Sequence, residues 1–194
     1  MADDPLKTTS LRLFLAVPFH DIFPAELDAM LTRFSRLVWD VRWARSAQVH
    51  LTLHFFGSVA VNEVARIDQA MRNVALCFRP FPVSLDGIGA FPGLERPSVL
   101  WAGVRDPDQR LFPLYEKVRT EVLRLGFPVE SRRFQAHITL GRVKKKPANL
   151  GPLIESIGQW PMARTGMIDR FCLYQSRCLP EGARYEVLKD YALS

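Results

Sequence analysis

At 194 residues the chain suits one domain or one bilobal unit, with length enough for a sizeable core. A composition of 48% hydrophobic and 24% charged residues, with no low-complexity tract, excludes disordered and fibrous classes. The longest early apolar run, LFLAVPF, is too short to span a bilayer, and the leader MADDPLKTTS is polar and acidic, unlike a signal peptide. The expectation is a soluble, cytoplasmic, monomeric protein that does not engage membranes. Cys77, Cys172 and Cys178 are odd in number and scattered, which suits reduced core thiols rather than a disulfide framework or a zinc site. The formal charge of +6 favours anionic partners. Its position says more: Arg42 and Arg45 precede His50, Arg132 and Arg133 precede His137, and Arg142, Lys144, Lys145 and Lys146 follow it. Such placement suits a phosphate-bearing substrate.

In chain order, LRLFLAV (11–17) reads as a short buried strand. Leu27, Met30, Leu31, Phe34, Leu37 and Val38 recur at helical spacing, which predicts an amphipathic helix over 21–38. Residues 48–56 alternate, with Val49, Leu51, Leu53 and Phe55 on one face and Gln48, His50, Thr52 and His54 on the other, the period of a strand. Val61, Val64, Ile67, Met71 and Val74 predict the next helix, and FPVSLDGIGAFPG a strand ending in a loop. SVLWAGV (98–104) is another strand. Asp106-Pro107 then caps and turns into a helix carrying Leu111, Leu114, Tyr115, Val118, Val122 and Leu125, closed by Gly126, with Pro113 marking where its regular part begins. A second alternating strand, FQAHITLGR, follows at 134–142. A short helical pattern at 147–157 and strands at 167–178 and 183–191 complete the chain.

This order repeats. An offset of 87 residues lays RLFLAV over VLWAGV, the helix after the first over the helix after the second, and QVHLTL over QAHITL. His50 falls on His137, Thr52 on Thr139 and Gln48 on Gln135. We read an α+β fold of two pseudo-symmetric lobes, each an antiparallel sheet with helices on its outer face, around a central cleft. Residues 1–194 then form a single bilobal domain, since no flexible linker separates the copies.

One histidine on the polar face of a strand is ordinarily just solvated. Two, each two residues before a threonine and related by the repeat, would surround one small volume with two imidazoles and two hydroxyls. That set suits phosphoryl transfer without a metal. Attack at phosphorus needs a base for the nucleophile and an acid for the leaving oxygen, and hydroxyls can donate to the non-bridging oxygens. The near-symmetric motifs leave open which imidazole is acid and which is base. There is no G-x-S-x-G nucleophile elbow, and no carboxylate or cysteine accompanies the histidines at ligand spacing, so neither cofactor nor metal is expected.

The tetrapeptides HLTL and HITL resemble the paired motifs of the two-histidine (2H) phosphoesterase superfamily. Within it the chain is most similar to the bacterial and archaeal RNA 2′,3′-cyclic phosphodiesterases, historically called 2′-5′ RNA ligases. The likeness runs from RLFLAVPF through VRWARSAQVHLTLHFFG, RPSVLWAGV and FQAHITLGRV to LYQSRCLPEGARYEVL. It implies hydrolysis of a terminal 2′,3′-cyclic phosphate on RNA to a 2′-phosphate, with joining of tRNA half-molecules through a 2′-5′ bond as an associated activity. Its partners would be RNA ends: tRNA fragments or oligonucleotides bearing the cyclic phosphate. By the same resemblance His50 is the proton donor to the departing 3′ oxygen and His137 the proton acceptor that activates water. Thr52, Thr139 and Arg142 hold the phosphate. Where relatives often carry Lys or Arg the chain has His54; Ala136 stands where Pro is common, and Gly141 where Ala is usual. His54 and Phe134 are candidate further substrate contacts, Phe134 as a ring for the terminal base. Rival readings are the same chemistry on small cyclic nucleotides or 2′-5′ oligonucleotides, and an RNA-binding protein without catalysis.

Overall fold

The computed structural model describes residues 10–36, 40–93, 95–144, 164–179 and 182–194. The helical pattern at 147–157, and Leu37, Val38, Lys145 and Lys146, lie outside the described residues. β1 (Ser10–Pro18) forms where the first apolar run stands. The helix expected over 21–38 divides into a single turn, α1 (Phe19–Ile22), and α2 (Pro24–Ser35), because Pro24 has no amide hydrogen to continue a helix but suits its first position. α2 buries Leu27, Met30, Leu31 and Phe34, as its spacing requires. A strand the sequence did not suggest, β2 (Val41–Trp43), precedes a 3-10 turn (Ser46–Gln48) and β3 (His50–Ala60). α3 (Val64–Ala75), β4 (Phe81–Phe91), β5 (Val99–Arg105) and α4 (Leu111–Arg124) fall where expected. The Asp106 carboxylate accepts the Leu111 amide at the start of α4, and Pro113 sits harmlessly in the first turn. β6 (His137–Val143) begins three residues later than the pattern suggests. Asp169 divides the next expected strand into β7 (Thr165–Ile168) and β8 (Arg170–Leu179), and β9 (Gly182–Ala192) ends the chain.

The strands described make one antiparallel sheet in the order β7-β4-β5-β6-β3-β1-β8-β9, with β2 paired to β6 beyond that path. One half, β3-β1-β8-β9, and the other, β6-β5-β4-β7, are the two lobes, and β3 joins β6 at the centre. The lobes are not the sequence copies. β4 and β8 are repeat equivalents, yet β4 of the first copy pairs with β5 of the second, and β8 of the second with β1 of the first. Each copy therefore sends a strand into the other lobe, which ties the halves together more firmly than a linker would. Leu13, Leu15, Val17, Leu51 and Leu53 share one buried cluster with the apolar faces of α2, α3 and α4, so the helices cover one face of the sheet and leave the opposite face to the cleft. Cys172 is buried, but Cys77 and Cys178 are exposed, which corrects the expectation of three core thiols; all three are free. No helix among the described residues is long and apolar enough to cross a membrane.

Candidate active site

β3 and β6 meet at one registered antiparallel pair, Leu51 and Ile138. These residues are equivalent under the 87-residue repeat, so the pseudo-twofold axis passes between them. Both side chains are fully buried on the helix side. Alternation then turns their neighbours to the cleft. Extending the register by one residue sets His50 across from Thr139 and Thr52 across from His137. Each hydroxyl therefore stands beside the imidazole of the other motif.

The two imidazoles are anchored alike. His50 Nδ1 lies 2.7 Å from the Gln48 carbonyl and His137 Nδ1 2.7 Å from the Gln135 carbonyl. A carbonyl oxygen only accepts, so each Nδ1–H donates and Nε2 is the nitrogen left available to take or give a proton. Aromatic rings hold both in place. His50 packs 4.9 Å from Phe14 and edge-on to Tyr185 at 5.2 Å; His137 packs edge-on to Phe91 at 5.0 Å and 6.1 Å from Trp101. Burial pushes the His50 pKa below the usual histidine value. The bond to the Gln48 carbonyl offsets part of this, and charge on the facing His137 adds to it. Burial and the facing ring thus both favour the neutral form of His50.

Beyond the motifs, the simple alternation fails, and this corrects two expectations. The β1–β3 register slips so that Ala16 faces Thr52 but Leu15 faces His54, leaving Leu53 as the extra residue of a bulge. A second slip lets Phe14 face Phe55 and Leu13 face Gly57, whose positive φ of 75° suits glycine. His54 is therefore turned inward at 8% exposure, and Phe55 outward at 59%. His54 packs edge-on to Phe56, its Nε2 has no hydrogen-bond partner, and burial lowers its pKa to about 4. It does not reach the cleft. The wall position belongs to Phe55. Phe134 is also placed elsewhere: it stacks on Tyr115, with ring centroids 4.0 Å apart, and packs against the core rather than lining the cleft.

β6 repeats the irregularity. Trp101 faces Thr139 but Leu100 faces Gly141, so Leu140 and Gly141 are both buried and Arg142 turns to the cleft. β2 reinforces this end: Arg42 pairs in register with Arg142, and Gly141 leaves room for Val41 and Trp43 to close over it. Arg42, Arg45 and Arg142 all line the cleft, and none forms an ion pair among the described residues. Like charges opposite one another on paired strands are unfavourable without an anion between them. The resulting cleft, about 670 Å³, holds both histidines, both threonines and these cations. A smaller depression of about 200 Å³ lies at Asp21, Asp169 and Arg170, but its charges neutralise one another: Arg170 bonds Asp21 and lies 3.2 Å from Asp190. Among the described residues no group of three His, Cys, Asp or Glu side chains converges as metal ligands would.

Paired His-x-Thr strands across one basic cleft define a phosphoesterase class of site, and the comparisons agree. A family model described as the 2′-5′ RNA ligase superfamily matches residues 23–177. A Thermotoga maritima protein named RNA 2′,3′-cyclic phosphodiesterase is 32% identical, covering 93% of this chain and 94% of its own. An Archaeoglobus fulgidus protein of the same name is 32% identical over 93% of this chain and 99% of its own. Among solved structures, the TT0787 protein of Thermus thermophilus superposes with a TM-score of 0.79 at 26% identity, covering 94% and 98% of the two chains. Escherichia coli LigT complexed with 3′-AMP does so with a TM-score of 0.73 at 26% identity, covering 95% and 99%. The chain belongs to the 2′-5′ RNA ligase superfamily, the two-histidine phosphoesterases.

Proposed function

We propose that the protein, acting as one bilobal unit, hydrolyses the 2′,3′-cyclic phosphate at an RNA 3′ end to a 2′-phosphomonoester. The observation that carries this reading is the pair of imidazoles anchored through Nδ1 on either side of the Leu51–Ile138 axis, each across from the other motif's threonine. The names of the full-length relatives support the substrate class.

In this mechanism His137 Nε2 takes a proton from water as the water oxygen bonds to phosphorus. The bond from phosphorus to the 3′ oxygen breaks, and His50 Nε2–H protonates that oxygen. Thr52 and Thr139 donate to the non-bridging oxygens, and Arg142 adds a charged donor where negative charge builds. Burial disfavours the protonated form of His50 in the open cleft, whereas a bound phosphodiester anion favours it, so substrate restores the proton that its donor role needs. A 5′-hydroxyl in place of water would give a 2′-5′ linkage by the same proton transfers.

The test is to incubate the protein, after exhaustive chelation, with short RNAs ending in a 2′,3′-cyclic phosphate and to identify the product isomer. A 2′-phosphate formed at an undiminished rate is expected. A 3′-phosphate, or activity that returns only with an added divalent ion, would overturn the mechanism; RNA binding without turnover would make the protein a non-catalytic binder.

A further inference from the structure

We infer that Gly89 and Trp101 form a seat for His137: the indole lies across the bare backbone of Gly89 and so fixes the direction of the imidazole. Trp101 is then a positioning residue. The inference rests on the cyclic-phosphate reading and deepens it. Gly89, Trp101 and Thr139 stand in one row across β4, β5 and β6, paired in register on the cleft face of the sheet. Glycine leaves an empty place in that row, and the indole fills it. A Cβ added at Gly89 would fall within the ring system, 2.5 Å from Trp101 Cη2 and 2.7 Å from Cε2. Any side chain at 89 therefore lifts the indole off β4.

Trp101 does not itself line the cleft, and it reaches the chemistry through its neighbours. Its ring packs 5.2 Å from Phe91 and 6.1 Å from His137, and Phe91 stands edge-on to His137 at 5.0 Å. The three rings brace one another. His137 depends on this brace more than His50 depends on its own. β6 begins at His137, so the Gln135 carbonyl that fixes Nδ1 lies on chain before the strand. That bond is exposed, whereas the matching bond of His50 is partly buried. Water competes for an exposed bond, and packing must then supply the constraint.

The first copy fills the same space differently. Phe14 takes the place of Trp101 under the repeat, and its registered neighbour on β8 is Tyr174 rather than a glycine. Tyr174 stacks on Phe14 at 5.0 Å and stands 6.2 Å from His50. Two rings of ordinary size share the space there; in the second copy one large ring spans it. The indole carries a cost that Phe14 avoids, a buried Nε1–H with no acceptor among the described residues. What it supplies in return is its second ring, the part that lies over Gly89.

The variants Gly89→Ala, Trp101→Leu, Trp101→Phe and the combined Gly89→Ala/Trp101→Phe test the seat on RNA ending in a cyclic phosphate. Misplacing a reacting group by about 1 Å can cost about 100-fold. Gly89→Ala should therefore lower kcat about 10- to 100-fold with KM nearly unchanged, since substrate does not touch the indole. Trp101→Leu, which leaves position 89 alone and keeps an apolar side chain, should lose a similar amount. Trp101→Phe should lose only a few-fold, because the shorter ring still meets Phe91. The combined variant should recover most of what Gly89→Ala loses, because the ring that the new Cβ displaces is gone. In the free protein the Hε1 NMR resonance of His137 should move in Gly89→Ala while that of His50 stays. A general loss of stability would not give that pattern. Full activity in Trp101→Leu, a combined variant as slow as Gly89→Ala, or an unmoved His137 resonance overturns the seat and leaves the phosphodiesterase reading intact. Failure of wild type to open the cyclic phosphate overturns that reading instead, and the resonance then still decides whether the seat exists.

Discussion

On one side of the pseudo-twofold axis Leu51 is flanked by His50 and Thr52; on the other Ile138 is flanked by His137 and Thr139. Both histidines donate Nδ1–H to a carbonyl two residues back at the same 2.7 Å, and each rests against an aromatic ring from an equivalent strand position, Phe14 in β1 or Trp101 in β5. The sheet then breaks register at the same place in both copies. Only there do the copies diverge: His54 and Phe55 on one side, Gly141 and Arg142 on the other. Under the proposed mechanism the anchoring of the two imidazoles tolerates little change, because a ring turned to another rotamer would no longer meet phosphorus. One bulge further on the copies have separated into a ring, Phe55, and a cation, Arg142, both on the cleft wall.

The largest effects should come from the anchored pair. His50→Ala and His137→Ala should each lower kcat/KM about 10²–10⁴-fold, and the double variant should be scarcely worse than either, because acid and base act in one step. A substrate with an activated, low-pKa leaving group at the 3′ position separates the two sides. It should largely rescue His50→Ala, which lacks only the acid, and leave His137→Ala impaired. Rescue of His137→Ala instead would exchange the roles. Smaller losses, about a hundredfold, are expected for Thr52→Ala and Thr139→Ala, each removing one donor to the phosphoryl oxygens. Equal losses would mean that the symmetry of the phosphate site is intact; a gap of tenfold or more would show that one threonine carries most of the contact.

How much of this was legible in the sequence divides along the same line. The histidines and threonines stand out because duplication puts the same unusual pair on two strands, and local alternation suffices to orient residues 49 to 53. It fails at His54 because a bulge adds one residue to the face count, and nothing local to HLTLHFFG signals it except Gly57, one step past the second slip. β2 escaped notice because three residues are too short for a period, and its existence depends on the long-range pairing of Arg42 and Trp43 with β6. The exchange of β4 and β8 between lobes was likewise hidden: a repeat gives the order of strands, while sheet neighbours are settled by which edges bury the most apolar surface. Phe134 precedes β6 rather than belonging to it, so its strand phase had no meaning, and stacking on Tyr115 decides its position.

The two residues that the bulges bury offer a comparison in stability. His54 is held neutral, with its pKa lowered to about 4 from an unfolded value near 6.5. The unfolded chain therefore binds the proton first, and folding free energy is lost as pH falls from about 6.5 toward 4. By pH 5 this should amount to about 2 kcal/mol. Chemical denaturation of wild type and His54→Leu at pH 7 and pH 5 measures it: the variant should lose correspondingly less on acidification. Parallel losses in the two proteins would mean that His54 finds a partner or water in solution.

Gly141 occupies the equivalent place and should respond to volume rather than to pH. A Cβ there would stand 2.6 Å from Val41 Cγ1, 3.1 Å from Trp43 Cε3 and 3.3 Å from the Arg42 carbonyl oxygen. The first two atoms belong to side chains and the third to backbone, so relief requires β2 to move away from β6 as a strand. Overpacking of this kind costs about 1–3 kcal/mol. Gly141→Ala should accordingly lower Tm by about 2–4 °C for each kcal/mol lost. Because β2 carries Arg42 and Trp43 into the cleft wall, the same variant should raise KM for RNA while leaving kcat nearly unchanged, the mark of weakened ground-state binding with the anchored imidazoles undisturbed. A drop in kcat with KM unaltered would place the strain on Thr139, two residues back along β6. Unchanged Tm and KM together would mean that β2 does not close over Gly141 in solution, and the wall that Arg42 and Trp43 form would then be less fixed than the opposite one.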